Sequence, residues 1–196
     1  MDDVTIDQGF TEHERADVGA LYWEAFGRKL RPGFADEPTG AAVVRASLRA
    51  EQMLVARRGG RVVGVCGFYN GATGAADLSW SRLRRTLSIR ATLRASLVLG
   101  VLAHRRQPTS LVIEGICVEG AARGLGIGTA LLSAAAAYAR RRGARDVQLS
   151  VIDSNPRARA LYERRGFVPI HSGSLGPLAR VYGFSGYTAM RQVLER

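Results

Sequence analysis

Lysine is almost missing from this chain: Lys29 is the only one among 196 residues, so the formal net charge of +11 comes almost wholly from arginine. Such a surplus makes nucleic acid, an anionic membrane or a phosphate-rich cofactor admissible partners. An Ala-, Gly- and Arg-rich composition also follows from genome base bias, so the charge alone selects none of them. Cysteine is scarce too. Cys66 and Cys117 each sit in an apolar run, residues 62–68 and 111–118, and read as buried strand thiols suited to a reducing compartment. With no histidine beside either, no metal site is expected. Long apolar runs are lacking: the longest, residues 97–103, is far short of the roughly 20 residues that a membrane span requires. The opening Met1-Asp2-Asp3 leads into no basic segment followed by an apolar one, so no secretory signal is expected and the default address is the cytoplasm.

What remains is 46% hydrophobic and 23% charged, the balance of a globular chain with a sizeable core. A single domain over residues 1–196 is expected. Residues 4–10 predict a short strand, and Thr11-Glu12-His13-Glu14 a capping box opening a helix to about Lys29. Residues 31–39, with two prolines and a glycine, predict a loop, and residues 41–50 a second helix. Residues 52–57 and 61–69 predict a hairpin over Gly59-Gly60.

Residues 77–106 are unusual: Trp80, Leu83, Leu87, Leu93, Leu97 and Val101 recur at three- and four-residue steps, interleaved with Arg82, Arg84, Arg85, Arg90, Arg94, Arg105 and Arg106. This pattern predicts one or two basic amphipathic helices. Strands follow at 111–118, 147–152, 167–171 and 183–194, with helices at 129–142 and 155–165. The mixture of strands and helices predicts an α/β or α+β class with a central mixed sheet.

The informative segment runs from Val118 to Thr129. A strand ends, a glycine loop turns, and a helix begins with amides that lack intrahelical partners. Glycines allow close approach to the backbone, so the segment predicts a nest for a pyrophosphate, with Arg123 adding a full charge beside it. A P-loop is disfavoured, since no Lys-Ser/Thr pair follows the glycines. A dinucleotide fold is disfavoured because they run G-x-G-x-G, although Asp146 lies about 20 residues on, where that fold keeps its ribose-binding acid.

Arg123-Gly124-Leu125-Gly126-Ile127-Gly128 and the later Asn155…Ala160-Leu161-Tyr162-Glu163…Gly166-Phe167 together resemble the GNAT superfamily of N-acetyltransferases. The first matches the family's R/Q-x-x-G-x-G/A cofactor loop and the second its other signature, with one helix and one strand between. Clear resemblance covers about residues 111–168. Residues 72–108 match nothing in the family core and read as a helical insertion beside the acceptor site, a lid or a surface helix.

The resemblance implies a mixed, mostly antiparallel sheet flanked by helices, with splayed middle strands. It implies acetyl-CoA as cosubstrate, an amine acceptor, and direct attack in a ternary complex. Homodimers are common in the family. Pyrophosphate would sit on the amides of Arg123, Gly124, Leu125, Gly126, Ile127, Gly128 and Thr129. Asn155 would hold the cofactor arm, cap its helix, or both. A backbone N–H of Cys117 or Val118 would polarise the thioester carbonyl.

Tyr162 occupies the position that commonly carries the general acid. A phenol of ordinary pKa near ~10 can protonate a thiolate whose conjugate acid lies near ~8.5. Some relatives carry a glutamate on the strand before the Asn motif; here that position is Ser150, so Glu114, a carboxylate in an apolar strand, is the candidate base. Two other readings stay open: a non-catalytic CoA-binding module, and a nucleic-acid-binding protein. The second is disfavoured because Trp80 is the only aromatic among the arginines.

Overall fold

The computed structural model describes residues 3–69, 73–101 and 109–195. Arg105 and Arg106, the last arginines of the predicted basic segment, lie outside the described residues. The elements are β1 (Val4–Gln8), α1 (Arg15–Leu30), α2 (Glu37–Ser47), β2 (Met53–Arg58), β3 (Arg61–Tyr69), α3 (Trp80–Leu83), α4 (Ile89–Val101), β4 (Ser110–Val118), α5 (Ile127–Arg141), β5 (Asp146–Ile152), α6 (Pro156–Arg164), β6 (Val168–Ser174), α7 (Ala179–Tyr182) and β7 (Gly186–Val193).

The strands form one seven-stranded sheet in the order β1-β2-β3-β4-β5-β7-β6. Every neighbouring pair is antiparallel except β4 and β5. Helices cover both faces, so Met53, Leu54, Val55 and Ala56 of β2 are all buried, as an unbroken apolar run in a doubly covered sheet requires. One core holds Leu54, Cys66, Phe68, Ile113 and Tyr162 against α5. The other holds Val55, Val65 and Cys117 against Val18, Leu21 and Tyr22 of α1 and Val43 and Val44 of α2. The β2–β3 hairpin turns through Gly59 and Gly60 at φ +56° and +77°, the left-handed region that a two-residue turn demands of both central residues.

α2 begins earlier than its sequence pattern predicts. Pro38 lies in its first turn, where a missing N–H removes no helical bond, and Asp36 caps it by accepting from the Thr39 N–H at 2.8 Å. At the start of the chain the Thr11 N–H donates to Glu14 Oε2 at 2.8 Å, and Arg57 of β2 grips the same carboxylate from 2.6 Å. The Arg57 guanidinium holds the Glu14 pKa down at about 2, against an ordinary 4.5. The lowered folded-state value means that this contribution to stability is full above about pH 4.5 and is lost as the pH falls toward 2. Glu14→Gln is therefore expected to flatten the fall in Tm between pH 5 and 2, which thermal melts across that window would measure.

The segment between β3 and β4 is tied down where it starts. The Arg49 N–H donates to Ala75 O and the Asp77 N–H to Ser47 O, both at 2.8 Å, and Arg49 pairs with Asp77 at 2.6 Å. Leu83, Thr92 and Ala95 are fully buried. α4 lies on residues 31–33, with Arg94 donating to Pro32 O, and Tyr182 of α7 donates to Val98 O at 2.7 Å. The sole lysine is half-buried: Lys29 Nζ lies 5.5 Å from the centre of the Phe184 ring, and burial lowers its pKa.

Candidate active site

β4 and β5 pair only through Ser110↔Asp146, Leu111↔Val147 and Val112↔Gln148. β4 then runs on to Val118 and β5 to Ile152 with no pairing between them, so the middle of the sheet is splayed from residue 113 onward. Two features set this up. β4 carries a bulge, since Gly67 pairs with Gly115 but Phe68 with Ile113, leaving Glu114 as the extra residue. β5, meanwhile, is fully paired to β7 on its other side.

Alternation along β4 decides which peptides face the gap. Cys117 pairs with Val65, and the Glu119 N–H donates to Val63 O at 2.9 Å. The peptide groups of Cys117 and Glu119 therefore point at β3, and those of Ile116 and Val118 point at the gap. The Val118 carbonyl accepts from Arg123 Nε at 3.0 Å.

The glycine loop leads from that strand end into α5. Gly124 and Gly126 adopt φ +84° and +80°, and Cβ atoms there or at Gly120 would meet nothing within 4 Å. Gly126 caps α5, its carbonyl accepting from the Ala130 N–H at 2.9 Å. The amides of Gly124, Leu125, Gly126, Ile127, Gly128 and Thr129 carry no hydrogen bond among the described residues. Six successive unpaired N–H groups at the positive end of a helix are donors suited to an anion, and Gly124, Leu125 and Gly126 among them are exposed.

Arg123 differs from expectation. Its N–H is bonded to Gly120 O at 3.3 Å, so the unpaired row starts at Gly124. Its guanidinium pairs with Glu24 of α1 at 2.7 Å. The side chain therefore ties the loop to α1 rather than standing free beside the nest.

The helix that carries Tyr162 comes close to the nest. A Cβ on Gly128 would lie 3.3 Å from Leu161 Cδ2 and 3.9 Å from Val118 Cγ2, so the amide nest, the end of β4 and the turn of α6 bearing Tyr162 are in contact. Tyr162 is 9% exposed. Its hydroxyl has no hydrogen-bond partner among the described residues, yet it is not sealed: the only sealed, unpaired side-chain polar atom among them is Arg191 Nε. Burial, with a further push from neighbouring Cys66, raises the Tyr162 pKa to about 12. Asn155 Oδ1 accepts from the Ala158 N–H at 3.1 Å, which accounts for its side-chain oxygen as a helix cap.

Glu114 faces the other way, toward α1. Its Oε1 accepts from the Tyr22 hydroxyl at 2.7 Å and its Oε2 from the Ala75 N–H at 2.7 Å. Its partners are thus a phenol and backbone, not arginine. Burial nonetheless outweighs these bonds and raises its pKa above the ordinary carboxylate value. Glu114 and Tyr162 thus belong to opposite sides of the sheet, with the gap in β4–β5 pairing between them. Ser150 has no acidic neighbour on its own strand to replace it: β5 contributes Asp146 alone.

Tyr22 and Phe26, one turn apart on α1 with rings 4.6 Å apart, complete the α1 side. The Phe26 ring occupies the space that a Gly115 side chain would need. Four-residue spacing on an apolar helix face signals burial and nothing more, so the sequence does not single them out. Among the described residues no group of three His, Cys, Asp or Glu side chains could hold a metal ion, and no helix is long and apolar enough to cross a membrane. A shallow polar depression of about 380 Å³ lined by Gln8, Glu51, Tyr138, Arg141 and Arg142 lies at the far end of α5 and takes no part.

These features agree with the comparisons to known proteins. The model of the acetyltransferase (GNAT) family matches residues 16–167. No curated protein matches the chain. Among solved structures, an N-acetyltransferase from Staphylococcus aureus Mu50 superposes with a TM-score of 0.72 at 19% identity, covering 96% of this chain and 100% of the other. A GCN5-related N-acetyltransferase from Kribbella flavida gives 0.60 at 17% identity, covering 97% and 98%. The ribosomal-protein-S18-alanine N-acetyltransferase from Escherichia coli gives 0.56 at 16%, covering 99% and 96%. At such identities the structural likeness establishes the fold: a mixed sheet of seven mostly antiparallel strands flanked by helices. The family match carries the activity class, transfer from acetyl-CoA as cosubstrate. The chain belongs to the GNAT acetyltransferase family and is an acyl-CoA-dependent N-acetyltransferase.

Proposed function

We propose that the protein transfers an acetyl group from acetyl-CoA to a primary amine by direct attack in a ternary complex. The observation that carries this reading is the row of unpaired amides from Gly124 to Thr129, in contact with the end of β4 and with the helix of Tyr162. These amides would bind the diphosphate. The gap-facing edge of β4 would receive the pantetheine arm, and the Val118 N–H, rather than that of Cys117, would polarise the carbonyl. Asn155 would steady the arm through its amide nitrogen. Bound acetyl-CoA supplies a thioester that an amine can attack, with a thiolate as leaving group.

Tyr162 is the proton donor in this reading. A pKa of about 12 keeps the phenol protonated at any physiological pH. Burial in the same core also raises the Cys66 thiol pKa, to about 12, so this side of the sheet disfavours thiolate charge. A leaving thiolate that is partly desolvated beside Tyr162 is more basic than a free one, which favours proton transfer from the phenol.

Glu114, reached from the α1 side, takes the proton that the attacking ammonium must lose, directly or through the Tyr22 hydroxyl. Glu114→Gln is expected to lower kcat/KM about tenfold at neutral pH, below the roughly 10²- to 10⁴-fold that one proton-transfer group typically contributes. The deficit shrinks as the pH approaches the pKa of the amine, where free base is already present. A deficit that stays constant with pH would remove Glu114 from proton transfer.

The reading is tested by a panel of amines (small molecules, peptide N-termini and lysine side chains) assayed for thiol release from acetyl-CoA, with calorimetry of CoA binding alongside. Binding heat together with release on at least one amine is expected. Absence of both would overturn it.

A further inference from the structure

α4 is docked by one face and bare on another. Thr92 and Ala95 are fully buried, and Leu99 faces the backbone of Gly33. A quarter to a third of a turn around the helix, Ile89, Leu93 and Leu97 stand 57%, 57% and 78% exposed. Their four-residue spacing stacks them on successive turns in one stripe. Gly100 extends that face, and a Cβ there would meet nothing within 4 Å. Isolated exposed aliphatic residues are ordinary; three in line on one helix are a surface without a cover.

The charge around the stripe is of one sign. No acidic residue occurs between Asp77 and Glu114, while Arg82, Arg84, Arg85, Arg90 and Arg94 fall in the described part of that interval. Three of these are occupied. Arg82 Nε is 3.9 Å from Asp77, Arg84 donates to Leu87 O, and Arg94 to Pro32 O. Arg85 and Arg90 are exposed and have no partner among the described residues. Arg90 borders the stripe on α4 itself, Arg85 lies just before the helix, and Trp80 of α3 is 44% exposed.

We propose that α4 docks the protein on an anionic lipid surface, with Ile89, Leu93 and Leu97 entering the headgroup–acyl boundary and Arg85 and Arg90 meeting lipid phosphates. An aliphatic stripe edged by guanidinium groups is the composition of a helix that lies in a membrane interface. Nucleic acid would take the charges but leave the aliphatic side chains in water. A second copy of the chain, packed stripe to stripe about a two-fold axis, would bring Arg85 and Arg90 of each copy against those of the other.

The test is co-sedimentation of the full chain with phosphatidylglycerol–phosphatidylcholine vesicles and with pure phosphatidylcholine vesicles. Binding at least tenfold tighter to the anionic vesicles is expected, with a blue shift of tryptophan emission that Trp80→Phe removes. Leu93→Asp with Leu97→Asp is expected to abolish binding while leaving Tm and CoA affinity unchanged, since both side chains are exposed. Arg85→Glu with Arg90→Glu should remove the preference for anionic lipid. Equal binding to both vesicle types, no binding to either, or unchanged binding of the double-aspartate variant would overturn the proposal. So would a dimer that dissociates with Leu93→Asp, or capture of duplex DNA that the double-aspartate variant retains.

Discussion

Replacing Tyr162 by phenylalanine is expected to lower kcat about 10²- to 10³-fold while leaving CoA affinity within about twofold. The phenol contacts no partner within the described chain, so its removal breaks no bond that holds the fold. The ring stays in its core beside Phe167, 6.0 Å away. Tm should therefore hold or rise slightly, because a hydroxyl is withdrawn from a largely apolar site. Loss of turnover with retained stability and retained cofactor binding is what a proton donor leaves behind when it is deleted. Because its pKa lies at about 12, the wild-type rate should show no descending limb from this group below about pH 10. It should climb instead as the amine acceptor loses its proton. A rate unchanged by Tyr162→Phe would exclude the phenol from the reaction.

The second large effect is expected at Gly126. Its φ of +80° costs any residue with a Cβ about 1–2 kcal/mol, although the space beyond it is empty. Gly126→Ala would be relieved by rotating the backbone to negative φ, which swings the neighbouring amides away from their common focus. CoA affinity is expected to fall at least about tenfold, or ~1.4 kcal/mol. Gly120→Ala is the internal control: it too faces empty space, but it lies outside the positive-φ glycines, so its CoA affinity should match the wild type. Equal losses in the two variants would mean that side-chain bulk, rather than amide geometry, governs the loop.

The parts of this architecture written in local chemistry were legible in the sequence. Gly59-Gly60 specify a hairpin, Asn155 and Pro156 specify a helix start, and Gly124 and Gly126 specify a turn that only glycine adopts cheaply. Each is a short-range backbone requirement, so a few adjacent residues suffice to state it. Positions fixed by distant partners were not legible. The bulge at Glu114 depends on how β3 and β4 align across a gap of more than 40 residues in the chain, and nothing in residues 110–118 announces it.

The same holds for Tyr22 as the donor to Glu114, which is 92 residues away. It holds also for Arg123, whose motif suggests a free charge but whose partner, Glu24, arrives from α1. Pro38 misled locally: a proline reads as a helix breaker, yet in the first turn it begins the helix. The arginine-rich segment was legible as amphipathic helix. Which of its faces would be buried was not, because the apolar Ile89 is exposed and the polar Thr92 buried, an outcome set by what lies opposite each and not by their own chemistry.

The most direct measurement of the central claim is a CoA titration followed by amide NMR of the nitrogen-15-labelled protein. If the nest holds the diphosphate, the amides of Gly124 to Thr129 should shift downfield together and gain protection from exchange, while the already bonded amides of Ala122 and Arg123 move little. CoA that binds with those six amides unshifted and still freely exchanging would contradict it.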